Sequence, residues 1–190
     1  METVDSLTGK MLIAMPGIGD PRFERSLLYI CAHDREHAMA LCVNNPVESL
    51  TIRDLLRRLD VGTEDSASTD LVLIGGPVEH ERGFVLHSDD YAASDGATLS
   101  IIDGLALTAS REALEVLSGK RTPPRRSALA LGYAGWGEGQ LEREIRRNVW
   151  LTCDADEDLI FETDHAGKWS KALAGLGIDP RLLSAETGEA

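Results

Sequence analysis

Two apolar runs, residues 26–32 and 38–43, flank the five-residue polar stretch His33–His37. A strand with one wet face alternates apolar and polar positions, but here nearly every position is apolar. Such a pair reads as a β-hairpin covered on both faces, with its tip at 34–36. It commits the chain to a sheet buried beneath other elements. At 190 residues, with 43% hydrophobic and only 5% aromatic residues, the core must be filled by Leu, Ile, Val and Ala.

The rest of the chain supplies the remaining elements. Residues 11–15 read as a strand closed by the turn PGIGDP at 16–21. Thr51 is positioned to cap a helix with Ile52, Leu55, Leu56 and Leu59 on one face. Residues 71–74 and 84–86 read as strands, and the polar stretch GGPVEHERGFVLH at 75–87 as mainly a loop between them. Residues 99–107 read as extended, broken at Asp103-Gly104, and Ser110 as the cap of a helix stopped by Gly119. After Pro123-Pro124, residues 128–133 form a strand, GYAGWGEGQ a glycine-dense turn, and 140–147 a helix. Residues 149–153 and 159–161 read as paired strands across an acidic turn. Asp164 caps a last helix with Trp169, Ala172, Leu173 and Leu176 on one face, ended by Gly177. Strands gather early and helices fall irregularly, which favours α+β over a doubly wound sheet. The expected layout is an arm at 1–9, a single domain at 10–180 and a tail at 181–190.

The net charge of −13 repels a phosphate backbone and disfavours direct nucleic-acid binding. No run approaches a membrane span. The N-terminus lacks the basic and apolar regions of a signal peptide. Cys31, Cys42 and Cys153 form an odd set without a C-x-x-C, which suits buried thiols in a reducing cytoplasm.

Four constellations could carry chemistry. His33-Asp-Arg-Glu-His37 fits H-x-x-E-H literally, but that metal site needs a helix, and the β-like flanks make it a hairpin tip. The PGIGDPR loop has a G-x-G without the third glycine of a dinucleotide fingerprint. Its backbone could still hold an anion beside Asp20 and Arg22, and the alternative is a tight turn. In the GGPVEHERGFVLH stretch, Glu79, His80, Glu81, Arg82 and His87 are titratable and close in sequence. A Glu–His pair there could do acid–base work, or the residues could simply be solvated, and His80 and Arg82 are its candidate ligand contacts. In GYAGWGEGQ, Trp136 and Gln140 could line a ligand cleft, or the indole could fill the core. The tentative ligand-binding set is Asp20, Arg22, His80, Arg82, Trp136 and Gln140, where three glycine-containing stretches could meet. No catalytic residue, metal or cofactor is assigned.

Three blocks, GKMLIAMPGIGDPRFERSLLYICAHDREHAMALCVNNP (9–46), GGPVEHERGFVLH (75–87) and ALGYAGWGEGQLEREIRRNVWL (130–151), together resemble the bacterial YqgE/AlgH family. The resemblance covers nearly the whole chain. It implies an α+β fold with a bifurcated β-sheet, partly closed into a small barrel, and helices packed outside. It also implies a cytoplasmic bacterial protein with no established reaction or cofactor, of a family whose members are often labelled transcriptional regulators. Three readings follow. The first is a non-catalytic protein that binds a small molecule or a protein partner. The second is an enzyme with an unrecognised site in the Gly-rich loops. The third is a regulator that binds DNA directly.

Overall fold

The computed structural model describes residues 5–183. Along the chain it places β1 (Lys10–Ala14), β2 (Leu27–His33), β3 (His37–Cys42), β4 (Pro46–Thr51), α1 (Ile52–Arg58), β5 (Leu71–Ile74) and β6 (Val78–Ser88). There follow β7 (Thr98–Ser100), β8 (Leu105–Thr108), α2 (Arg111–Val116), β9 (Ser127–Gly137), α3 (Gln140–Arg146), β10 (Trp150–Asp154), α4 (Glu157–Phe161) and α5 (Lys168–Gly175). The class is α+β. The contacts divide the chain into two compact units, one of residues up to 44 and from 134 onward, the other of residues 45–133.

In the first unit, β1 lies between β10 and β2, and β3 runs beside β2, all antiparallel. The end of β9 joins β3, with Ala134 opposite Ala40 and Gly137 opposite His37. The β2–β3 hairpin forms as the apolar runs predict, its tip closed by the Asp34 N–H donating to the His37 carbonyl at 3.0 Å. Alternate residues Leu12, Leu28, Ile30, Ala40, Trp136 and Trp150 make one core cluster. Their neighbours Met11, Ile13, Leu27 and Tyr29, on the opposite face, are equally buried. Helix α5 packs against β1 and β2, burying Trp169, Ala172 and Leu173. Of the expected arm, residues 1–4 lie outside the described residues. Its described part is tied to β2, with Leu7 N–H donating to His33 Nδ1 and Gly9 N–H to the Ile30 carbonyl. Of the expected tail, 184–190 lie outside the described residues.

In the second unit, the first part of β9 takes β6 antiparallel on one side and β5 parallel on the other, while β8 and β7 extend from β6 and β4 pairs with β5. β9 therefore changes partners along its length, serving the second unit with residues 127–133 and the first with residues 134–137. Ile52, Leu56, Val72, Val85, Leu117 and Leu129 form the core here. Thr51 caps α1 as expected: its hydroxyl accepts from the Asp54 N–H while Asp54 reaches back to the Thr51 N–H.

Six local expectations are corrected. The stretch 75–87 is mainly strand β6, because its polar residues 79–82 occupy exposed positions of a strand whose far half is buried. The GYAGWG segment is strand too, the end of β9, and the turn is confined to Glu138-Gly139. Residues 159–161 belong to helix α4, capped by Asp156, whose carboxylate accepts from the Leu159 N–H, with Glu157 and Asp158 in the first turn. The partner of β10 is β1, about 140 residues upstream. Ser110 precedes α2 without a side-chain capping bond, and Leu176 is exposed beyond the end of α5.

Candidate functional site

A concavity of the first unit grows out of the turn that ends β1. Gly17 and Gly19 take left-handed φ values of 80° and 78°, which a side chain would resist. The Asp20 carboxylate then caps a 3-10 turn, Pro21–Phe23, by accepting from the Arg22 N–H at 3.0 Å. Arg25 follows in the left-handed region at φ 54°, uncommon for a residue with a Cβ. Asn44 holds it there: its side-chain amide donates to the Arg25 carbonyl at 2.8 Å and accepts from the Leu27 N–H at 2.9 Å. The result is a guanidinium stacked on the Trp169 indole, 4.9 Å from the ring centroid. Trp169 is in turn fixed by its own N–H, which donates to the Ala14 carbonyl at 2.8 Å. A groove of about 520 Å³ opens among these residues, lined by Met15, Ile18, Asp20, Arg25, Trp169 and Leu183 with their neighbours.

Of the residues read from sequence, Asp20 lines this groove and Arg22 grips it. Arg22 Nε and Nη2 donate to the two carboxylate oxygens at 3.0 and 2.8 Å, which holds Asp20 below the usual carboxylate range. Phe23 carries the loop onto the core, meeting Trp150 edge-on at 5.6 Å, and Trp150 meets Trp136 at 6.0 Å. Trp136 is a core residue, 6% exposed. Its indole N–H donates to Glu144, and Gln140 donates to the other oxygen of that carboxylate. A chain of aromatic contacts, Phe23–Trp150–Trp136, thus joins the first and third glycine-containing stretches. His80 and Arg82 stand on β6 in the second unit, both exposed, with Arg82 3.6 Å from Glu79 and over the Phe84 ring. Arg25 and Trp169 escape sequence reasoning, because 144 positions separate them.

The two histidines of H-x-x-E-H have different surroundings. His33 is buried: the Leu7 N–H donates to its Nδ1 at 2.9 Å, so Nε2 carries the proton and donates to Glu142 at 2.7 Å. His37 is exposed beside Asp34. His87 is fully buried in the second unit. Its Nδ1–H donates to the Ser88 carbonyl and its Nε2 accepts from the Thr108 hydroxyl, and burial lowers its pKa.

The family model described as AlgH-like matches residues 11–181. A UPF0301 protein of Caulobacter vibrioides is 60% identical over 184 residues, covering 97% of this chain and 94% of its own. A UPF0301 protein of Ruegeria pomeroyi is 51% identical over 185 residues, covering 97% and 99%. The solution structure of the AlgH protein from Pseudomonas aeruginosa matches with a TM-score of 0.78 at 35% identity, covering 100% of this chain and 99% of that one. A Corynebacterium diphtheriae protein shares the fold alone, at 16% identity and a TM-score of 0.69. With nearly the full length of the chain matched, and α+β architecture in common, the protein belongs to the AlgH-like family, for which no reaction is established.

Proposed function

We propose that this protein is a non-catalytic binding protein whose ligand site is the groove beside the PGIGDP turn. The observation that carries this reading is the stacking of Arg25 on Trp169 at the groove wall. A strained backbone position, fixed by Asn44, places a charged group over an aromatic face beside open volume. Concave, largely apolar sites with a few placed polar groups are where small ligands bind. Asp20 belongs to this site directly and Arg22 through its grip on Asp20. The net charge of −13 favours a regulatory role exercised through a bound ligand or a protein over direct DNA contact. A cytoplasmic location accords with the free thiols of Cys31, Cys42 and Cys153. Among the described residues, no helix is long and apolar enough to cross a membrane.

The test is complementation of a deletion strain by Arg25→Gln and Leu183→Arg, with melting temperatures measured in parallel. Both variants should keep the wild-type melting temperature within a few degrees and lose complementation. Full complementation by both would remove the groove from the function.

A further inference from the structure

The groove carries information about its ligand's charge. Arg22 neutralises Asp20 through a two-pronged contact, so that carboxylate is spent. Among the described residues the Arg25 guanidinium has no carboxylate partner, and it lies over the Trp169 ring. A guanidinium already on the indole face excludes a second cation from that face. The turn adds neutral donors: among the described residues, the N–H groups of Gly17 and Gly19 find no acceptor, although Ile18 between them donates to the Met15 carbonyl. Glu24 is the opposing charge on the rim, exposed and not paired with Arg25. The remaining wall is apolar, with Met15, Pro16, Ile18, Pro21 and Leu183.

The geometry points to an organic carboxylate as the ligand: a small acid whose anionic end meets Arg25 and the turn amides while its apolar body lies along Met15, Ile18 and Leu183. This rests on the groove being the binding site proposed above, and goes beyond it by naming the ligand's chemistry. A carboxylate fits the planar fork of a guanidinium with two parallel bonds. The volume of about 520 Å³ falls in the range for a small molecule.

The experiment uses the full chain and three probes: 4-phenylbutyrate, its uncharged amide, and inorganic phosphate. Titration is followed by NMR at the Trp169 indole N–H and the Gly17 and Gly19 amides, and by calorimetry at low and moderate salt. The acid should move these three signals and bind about tenfold or more tightly than the amide, as expected for a charge-assisted contact. Arg25→Gln should abolish that preference and Arg25→Lys should retain part of it. Chemical-shift maps distant from the groove should match wild type, which separates a lost contact from a lost fold. Equal binding of acid and amide, or an acid preference that survives Arg25→Gln, would overturn the carboxylate assignment while leaving the groove a binding site. Phosphate binding as tightly as the acid would overturn it in favour of an inorganic anion site. No movement at the groove by any probe would also overturn it, and complementation would still decide the proposed function independently.

Discussion

Trp136 and Trp150 donate their indole N–H groups to the same oxygen, Oε2 of Glu144, at 2.9 and 2.8 Å. The two rings belong to one core cluster of the first unit and meet edge to face. Gln140 takes the other oxygen at 3.0 Å. One carboxylate from α3 thereby satisfies both indoles. Glu144→Ala leaves two largely buried N–H groups without a protein acceptor, and each orphan costs about 1–3 kcal/mol. We expect a loss of about 2–4 kcal/mol in urea unfolding, with Glu144→Gln losing less because its amide oxygen still accepts. A loss below about 0.5 kcal/mol for Glu144→Ala would show that the shared acceptor does not hold the core.

Two glycines of one strand should respond oppositely. Gly132 has φ 73°, and a Cβ there would lie 2.4 Å from the Gly76 carbonyl oxygen and 2.9 Å from that of Val78. Both are backbone atoms that cannot rotate away. Gly137 has no left-handed φ, and a Cβ would meet nothing within 4 Å. Gly132→Ala should cost about 3 kcal/mol or more, or prevent folding. Gly137→Ala should fall within about 1 kcal/mol of wild type. Melting temperatures that fail to separate the two would contradict this account of β9.

Lys168 is fully buried, its ammonium donating to the Val43 and Ile160 carbonyls at 2.8 and 2.7 Å. Burial lowers its pKa from 10.5 to about 8, against a smaller opposing pull from Glu162. Between those values the unfolded chain holds a proton that the folded chain has released. Stability from this group is therefore complete above about 10.5 and lost as the pH falls to about 8. Between pH 7.5 and 10 the wild type should gain about 2 kcal/mol relative to Lys168→Met. Urea unfolding of both proteins at the two pH values measures the difference, and parallel pH profiles would refute the assignment.

The local elements were readable wherever the determining residues are neighbours. The β2–β3 hairpin is legible because its two apolar runs and polar tip are contiguous, and α1 because Thr51 and Asp54 lie one helical turn apart. Strand β6 was obscured because Glu79, His80, Glu81 and Arg82 are exposed, so the polarity of a strand's wet half reads like a loop. Residues 159–161 carry too short an apolar run to separate helix from strand. The helix is favoured by the Asp156 cap and by β1, not this segment, pairing with β10. For the proposed groove, the sequence alone determined that the PGIGDPR turn is glycine-dependent and charged, and it pointed to Asp20 and Arg22. The chain fold alone decided that Trp136 is spent on Glu144 and that Arg25 lies over Trp169. Such pairings join residues far apart in the chain, and loop closure, sheet register and competition for buried partners select them, none of which leaves a periodic trace in sequence.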